Sequence, residues 1–109
     1  MQTWSVFLTR MWMIKPSIMC RQHLLGEHKE IHQLVGSILH KKSIAGYVEK
    51  GLIEVHNAEK RHSELVREME KRGYNHQSKL QKFKSFKAGK VDIRKSIADL
   101  KQRCKECGK

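Results

Sequence analysis

Apolar residues recur at helical spacing in three stretches of the chain, and no stretch alternates in the manner of a β-strand. The first stretch predicts a helix that begins near Pro16 and runs to about His40. Gly26 and Gly36 lie inside it, where they weaken the helix or let another backbone approach closely. The apolar stripe of this helix consists of Cys20, Leu24, Ile31, Val35 and Ile38.

Two further helices follow, each with a start or stop signal. Asn57 is the predicted N-cap of the second helix, and Gly73 marks its end. Its stripe consists of Ala58, His62, Leu65, Val66 and Met69. Asp92 is the predicted N-cap of the third helix, whose stripe consists of Ile93, Ile97, Leu100 and Cys104. Residues 43–55 predict a short connecting helix or turn, and residues 77–90 predict a basic loop.

Length and composition agree with one small folded domain. The chain has 109 residues, of which 39% are hydrophobic and 31% are charged. We therefore predict an all-α fold, a single small domain of three main helices with a short connecting helix and a basic loop. We assign residues 9–109 to this domain and treat residues 1–8 as an extension that is either non-native or removed.

The charge of the chain narrows the choice of partners. It carries a formal net charge of +12, with a pI near 9.9, so it attracts phosphate backbones or anionic membrane surfaces. No run is apolar enough to span a bilayer. Three cysteines make no disulfide framework and suit a reducing cytoplasm, in a bacterial, archaeal or virus-infected cell. We expect a monomer.

Two motifs near the carboxyl end each have two interpretations. Cys104 and Cys107 form a CxxC pair, which is half of a zinc site, but the nearest histidine is the distant His76 and Cys104 also fits an apolar helix face. The sequence therefore predicts no metal. Phe83 and Phe86 alternate with lysines in the basic loop. They either wedge into a nucleic acid or dock on the core.

The first helix carries two carboxylates beside its apolar stripe. His23 and Glu30 are seven residues apart and share one flank of the helix, with Glu27 between them. A carboxylate in this position suits acid–base or electrostatic work. The alternative is that both glutamates are surface residues that offset nearby lysines.

Three sequence segments together resemble a known enzyme family. They are the pair Thr9-Arg10, the run QHLLGEHKE at residues 22–30, and KRGYN at residues 71–75. In this combination the chain resembles the pyrimidine-dimer DNA glycosylases of the phage endonuclease V type, over roughly residues 9–80. Gln33 stands where the family often has an arginine.

The resemblance implies a mechanism and a partner, duplex DNA with damaged pyrimidines or abasic sites. The α-amine of Thr9 would attack C1′ of the damaged nucleotide, and Glu30 would stabilise the sugar cation and assist proton transfer. The resulting imine would lead to strand cleavage by β-elimination, and neither a metal nor another cofactor is required. The residues that the resemblance implies for DNA contact or site shape are Arg10, Gln22, His23 and Lys29.

The second helix adds further cations. Arg61, Lys71 and Arg72 either form a solvated face or contact phosphates, and the net charge favours phosphate contact. His62 lies on the apolar stripe of this helix and is expected to be a core histidine.

An internal threonine has no α-amine, so the implied chemistry depends on the mature start. Our hypothesis is that translation begins at Leu8 from a non-AUG codon and that Leu8 is then removed. Otherwise Lys15 is the substitute amine, or the protein is a non-catalytic nucleic-acid-binding protein of the same fold. A binder of membrane surfaces or of an acidic partner is less favoured, because the cations spread along the chain instead of forming one amphipathic face.

Overall fold

Four α-helices and two short 3-10 turns make up the part of the chain that the computed structural model describes, residues 10–76 and 79–107. The helices are α1 (Arg21–Leu39), α2 (Ala45–Glu49), α3 (Ala58–Lys71) and α4 (Ile93–Arg103), and the 3-10 turns are Pro16–Ile18 and Val55–Asn57. No strand occurs among these residues. The prediction of an all-α domain with three main helices and a short connecting helix is confirmed.

The first helix starts later than predicted, and Arg72 explains why. Pro16 opens only a 3-10 turn, after which Met19 takes an extended backbone and α1 begins at Arg21. The Nη2 of Arg72 donates to the carbonyl oxygens of Pro16 and Met19, at 3.0 and 2.7 Å. Because this side chain caps carbonyls that a longer helix would use internally, the chain turns here before α1 starts.

The predicted ends of α3 and α4 lie where the sequence signals place them, although one of the caps lacks its side-chain bond. Asp92 caps α4, since its Oδ1 accepts the backbone N–H of Lys95 at 3.2 Å. Gly73 ends α3 in the left-handed region, at φ +85°. Asn57 occupies the N-cap position of α3, but its side chain makes no capping bond and donates instead to Glu54.

The core lies between α1 and α3 and extends to the N-terminal segment and α4. The predicted stripes are largely confirmed, except that Ile93 is 51% exposed because α4 turns Ser96 and Leu100 inward instead. The pattern did not reveal that Met11 and Trp12 are buried. The backbone of this segment is fixed from two sides: Met11 N–H donates to Leu52 O at 2.7 Å, and Ser96 Oγ donates to Trp12 O at 2.6 Å.

The end of the basic loop is held against the segment before α3. Gly89 has φ +88°, and a Cβ at this position would collide with the carbonyl oxygen of Ile53. Val55 N–H donates to Ala88 O at 2.9 Å beside it. In the loop Phe83 packs against the core, whereas Phe86 is 46% exposed. Docking on the core, one of the two predicted interpretations, therefore describes Phe83, and contact of Phe86 with a nucleic acid stays a prediction.

The glycines of α1 make no close approach to another backbone, contrary to one of the two expectations. A Cβ at Gly26 or Gly36 would meet nothing within 4 Å among the described residues. These glycines therefore only weaken the helix.

We expect opposite effects from two glycine substitutions. Gly89→Ala should lower the free energy of unfolding by about 2 kcal/mol or more, because alanine is strained at this φ and its Cβ meets fixed backbone. Gly36→Ala is the matched control and should raise it by roughly 0.5–1 kcal/mol through helix propensity. Urea unfolding followed by circular dichroism measures both. Equal effects of the two changes would contradict the close approach at Gly89.

Candidate active site and nucleic-acid interface

Glu30 lies on α1 and is bound to the segment that enters the core from the N-terminus. The backbone N–H of Arg10 donates to Glu30 Oε1 at 2.9 Å. Arg10 is the residue that follows Thr9 in the chain; Thr9 itself lies outside the described residues, as do residues 1–8. The structure therefore brings together Arg10 and Glu30, two of the predicted site residues, across 20 positions of sequence.

The environment of Glu30 raises its pKa to about 7. Burial is the main cause, the hydrogen bond from the Arg10 backbone opposes it, and the nearby charge of Glu27 raises the pKa further. A carboxyl group with a pKa near 7 is present in both protonation states at neutral pH. It can therefore take up or release a proton during a reaction at that pH.

The side chain of Arg10 points along a charged groove. Its Nη2 pairs with Asp99 Oδ2 on α4 at 3.1 Å, and its guanidinium lies 3.8 Å from the centre of the Trp12 ring. The groove has a volume of about 450 Å³. Its cationic lining residues are Arg10, Lys50, Lys90, Lys95 and Arg103. Arg10 thus has two contacts that bear on function. Its backbone binds the carboxyl group of Glu30, and its side chain lines a groove whose cations attract phosphate.

Arg61, predicted to contact DNA, is instead buried at 2% exposure. Its guanidinium forms a two-pronged ion pair with Glu27, with Nε–Oε2 at 2.6 Å and Nη2–Oε1 at 2.9 Å, and donates to Ile14 O at 2.7 Å. Burial alone would lower the pKa of Arg61, but the hydrogen bonds and charges of Glu27 and Glu64 raise it above its ordinary value. In this structure Arg61 joins α1, α3 and the N-terminal segment and is not available to a phosphate.

Arg72 is also engaged within the protein. Besides its bonds to the turn before α1, it pairs with Glu68 through Nε at 2.7 Å. Gln22, Lys29 and Lys71, in contrast, are exposed and free to meet a ligand. The sequence pattern could not distinguish Arg61 and Arg72 from Lys71, because burial depends on how α3 packs against α1.

His23 lies in a cluster with all three cysteines. Its Nδ1 is 3.2 Å from Cys20 Sγ and 3.6 Å from Cys107 Sγ, and Cys20 Sγ is 3.8 Å from Cys104 Sγ. No further ligands for the CxxC pair are apparent from sequence spacing, but the fold supplies Cys20 and His23. The spacing Cys20-x-x-His23 on α1 was the signal that could have indicated them.

A second cluster joins four histidines of α1, α3 and the following segment. Ring nitrogens of His28, His62 and His76 lie within 4.8 Å of one another, and His32 Nε2 is 3.2 Å from His62 Nε2. Burial, then the neighbouring histidines, lower the pKa of His28 to about 4. His62 is buried, as expected from its stripe. The cluster therefore contains neutral imidazole at pH 7, a form that offers nitrogen lone pairs.

A family model described as pyrimidine dimer DNA glycosylase matches residues 1–82. This covers α1, α2 and α3 and includes Glu30 and Arg10. The chain belongs to the pyrimidine dimer DNA glycosylase family. Membership indicates a DNA glycosylase whose substrate is DNA. Searches of curated proteins and of solved structures gave no significant match. Among the described helices, none is long and apolar enough to cross a membrane.

The buried ion pair gives a prediction for the stability of this glycosylase-family protein. Arg61→Met should lower the free energy of unfolding by about 3–5 kcal/mol, because Glu27 would remain buried without its partner. Adding Glu27→Gln should recover part of the loss. Arg67→Met, an exposed position on the same helix, is the control and should change little. If Arg61→Met changed the free energy of unfolding as little as the control does, urea unfolding would contradict the role of Arg61 as a buried partner of Glu27.

The raised pKa of Glu30 gives a prediction with a definite sign. The unfolded carboxyl titrates near 4.5 and the folded one near 7, so stability falls as the pH rises through this window. Glu30→Gln removes the free-energy cost of ionising this buried carboxyl group. Because the group is only partly shielded from solvent, we expect a gain of roughly 1 kcal/mol at about pH 8 and no difference at about pH 4. A loss of stability at both pH values in thermal unfolding would show that Glu30 has a purely structural role.

Proposed function

We propose that this member of the family is a DNA glycosylase and AP lyase that excises pyrimidine dimers through an imine formed by the α-amine of Thr9. The observation that carries the proposal is the hydrogen bond between Glu30 and the backbone of Arg10. This bond holds a carboxyl group with a pKa near 7 at Arg10, and Arg10 is the residue next to Thr9 in the sequence. This arrangement supplies an acid–base group beside a segment that can provide an amine.

The proposed chemistry begins with attack on the sugar. The neutral amine nitrogen of Thr9 forms a bond to C1′, and the bond from C1′ to the base breaks, with the electron pair leaving on the base. Ionised Glu30 stabilises the positive charge that develops on the sugar. The amine nitrogen then loses a proton, the C1′–O4′ bond breaks with its electron pair on O4′, O4′ takes up a proton, and an imine joins the protein to the DNA.

Strand cleavage follows from the imine. A proton leaves C2′, the electron pair forms a C2′–C3′ double bond, and the C3′–O bond breaks with release of the phosphate. Glu30, with its pKa near 7, is the proposed acceptor of the C2′ proton. Water then hydrolyses the imine and frees the amine. Because C1′ is shielded in stacked DNA, the damaged nucleotide must first be displaced from the helix.

The groove lined by Arg10 is the proposed path of the DNA backbone. Its lining contains five cations and three acidic residues, Glu49, Asp92 and Asp99, so positive charge is in excess. The exposed Lys29 and Gln22 on α1 are further proposed contacts. Lys15 is a weaker amine candidate than Thr9, because it lines a different hollow, together with Pro16, Glu64 and Lys71.

The sequence before Thr9 favours a second candidate function. If residues 1–8 persist in the mature protein, Thr9 has no amine, and the chain is a non-catalytic DNA-binding protein of the same fold. A mature chain that begins at Thr9, through initiation at Leu8 and removal of Leu8, is therefore part of the proposed function.

Borohydride trapping tests the lead proposal. A form that begins at Thr9 should give a covalent adduct with a duplex that carries one pyrimidine dimer or abasic site, and mass mapping should locate the adduct on the α-amine. Glu30→Gln should lower the cleavage rate by about 10²-fold or more while DNA affinity changes little. Glu59→Gln, an exposed glutamate on α3, is the matched control.

Two outcomes would contradict this proposal. An active preparation whose mature mass begins at Met1 or Gln2 would exclude the Thr9 amine. Normal DNA binding without any adduct in the form that begins at Thr9 would favour the non-catalytic function.

A further inference from the structure

Four side chains that the proposed reaction does not use form a compact set of metal donors. They are Cys20, His23, Cys104 and Cys107, and their donor atoms all lie within 4.8 Å of one another. All three cysteines are free, and the 3.8 Å between Cys20 Sγ and Cys104 Sγ is far beyond a disulfide bond.

Two of the distances within this set match tetrahedral coordination, and a third is close to it. Zinc binds sulfur at about 2.3 Å and histidine nitrogen at about 2.0–2.1 Å, so a tetrahedral centre separates two sulfurs by about 3.8 Å and sulfur from nitrogen by about 3.6 Å. The Cys20–Cys104 sulfurs are 3.8 Å apart, and Cys107 Sγ is 3.6 Å from His23 Nδ1. Cys20 Sγ and His23 Nδ1, at 3.2 Å, need to separate by only a few tenths of an ångström.

We propose that Cys20, His23, Cys104 and Cys107 bind one Zn²⁺ ion in a closed Cys₃His site. Thiolate and imidazole donors in tetrahedral geometry suit zinc and disfavour Mg²⁺ and Ca²⁺, which take oxygen ligands. The four protein ligands complete a tetrahedron and leave no position for water, so the site is structural and takes no part in the reaction at the DNA. This inference is independent of the function proposed above.

The local backbone positions the two ligands in each half of the site. Cys20 is the N-cap residue of α1, and His23 follows one turn later on the same face. Cys104 is the C-cap residue of α4, and Cys107 closes the turn after it at 5% exposure. The backbone N–H of Cys20 donates to Cys107 Sγ at 3.2 Å, a contact that stabilises negative charge on a sulfur ligand.

The ion would link residues 104–107, which follow α4, to α1, the helix that carries Glu30. The two halves of the site are 84 residues apart, and Cys104 and Cys107 lie beyond residue 82, where the family match ends. The helix α4 supplies Asp99, the partner of the Arg10 side chain. Holding α4 therefore also holds Arg10 at the entrance of the groove.

Metal analysis of the full chain is the first test. Protein purified under reducing conditions and loaded with Zn²⁺ should retain one tightly bound zinc per chain after dialysis. Removal of zinc by a strong chelator should lower the thermal midpoint by about 10 °C or more, and added zinc should restore it. Less than a tenth of an equivalent of retained zinc would overturn the proposal.

Cobalt substitution identifies the donors. Co²⁺ in a Cys₃His site gives intense tetrahedral ligand-field bands and a thiolate-to-cobalt charge-transfer band. The histidine cluster of His28, His62 and His76 is the other group of close nitrogen donors, and Co²⁺ bound there would lack the thiolate band. Bound cobalt without that band would therefore also overturn the proposal.

Substitutions separate a ligand from a residue that merely packs. Cys104→Ser should lose tight zinc binding and the thermal shift on chelation, whereas Lys105→Ser, its exposed neighbour, should keep both. If Cys104→Ser does not fold, His23→Cys remains informative, since it preserves four ligands. It should retain one zinc and show a stronger thiolate band. Loss of zinc binding in the Lys105→Ser control together with Cys104→Ser, or retention in both, would contradict the assignment.

Discussion

The buried ion pair between Arg61 and Glu27 is the interaction on which the rest of this structure depends. It joins α1 to α3, and the bond from Arg61 to the carbonyl of Ile14 adds the segment that leads from Arg10 into the core. A charge pair this deeply buried stabilises a fold only when its hydrogen bonds are satisfied, and here the guanidinium has a partner on each side. The pair therefore connects three elements at fixed hydrogen-bonding positions, and movement of any one of them would leave a buried charge without a partner.

The same pair influences the candidate site through the geometry of α1. Glu27 and Glu30 are three residues apart and lie on neighbouring positions of the helix. The charge of Glu27 adds to the effect of burial in raising the pKa of Glu30. A residue whose role is structural thus contributes to the raised pKa of one that faces the N-terminal segment. The two carboxyl groups differ because Glu27 pairs with the guanidinium of Arg61, whereas Glu30 accepts the backbone N–H of Arg10.

The sequence predicted the helices well because their stripes and end signals are local, as Asp92 and Gly73 illustrate. The sequence could not predict which cations of α3 are buried. Arg61 and Lys71 belong to one polar pattern, and only the packing of α3 against α1 distinguishes them. The link between Glu30 and Arg10 follows from the resemblance and not from periodicity, and Thr9 stays a prediction. The four-donor cluster was missed because its halves are far apart in sequence and meet only when α4 returns to the start of α1.

The position of α4 has a consequence for the boundaries of the folding unit. The family match ends at residue 82, yet Leu100 is 1% exposed in the common core and Ser96 holds the carbonyl of Trp12. The core of the matched segment is therefore shared with residues that lie beyond the match. In this chain the limit of sequence similarity and the limit of the packed interior fall at different places.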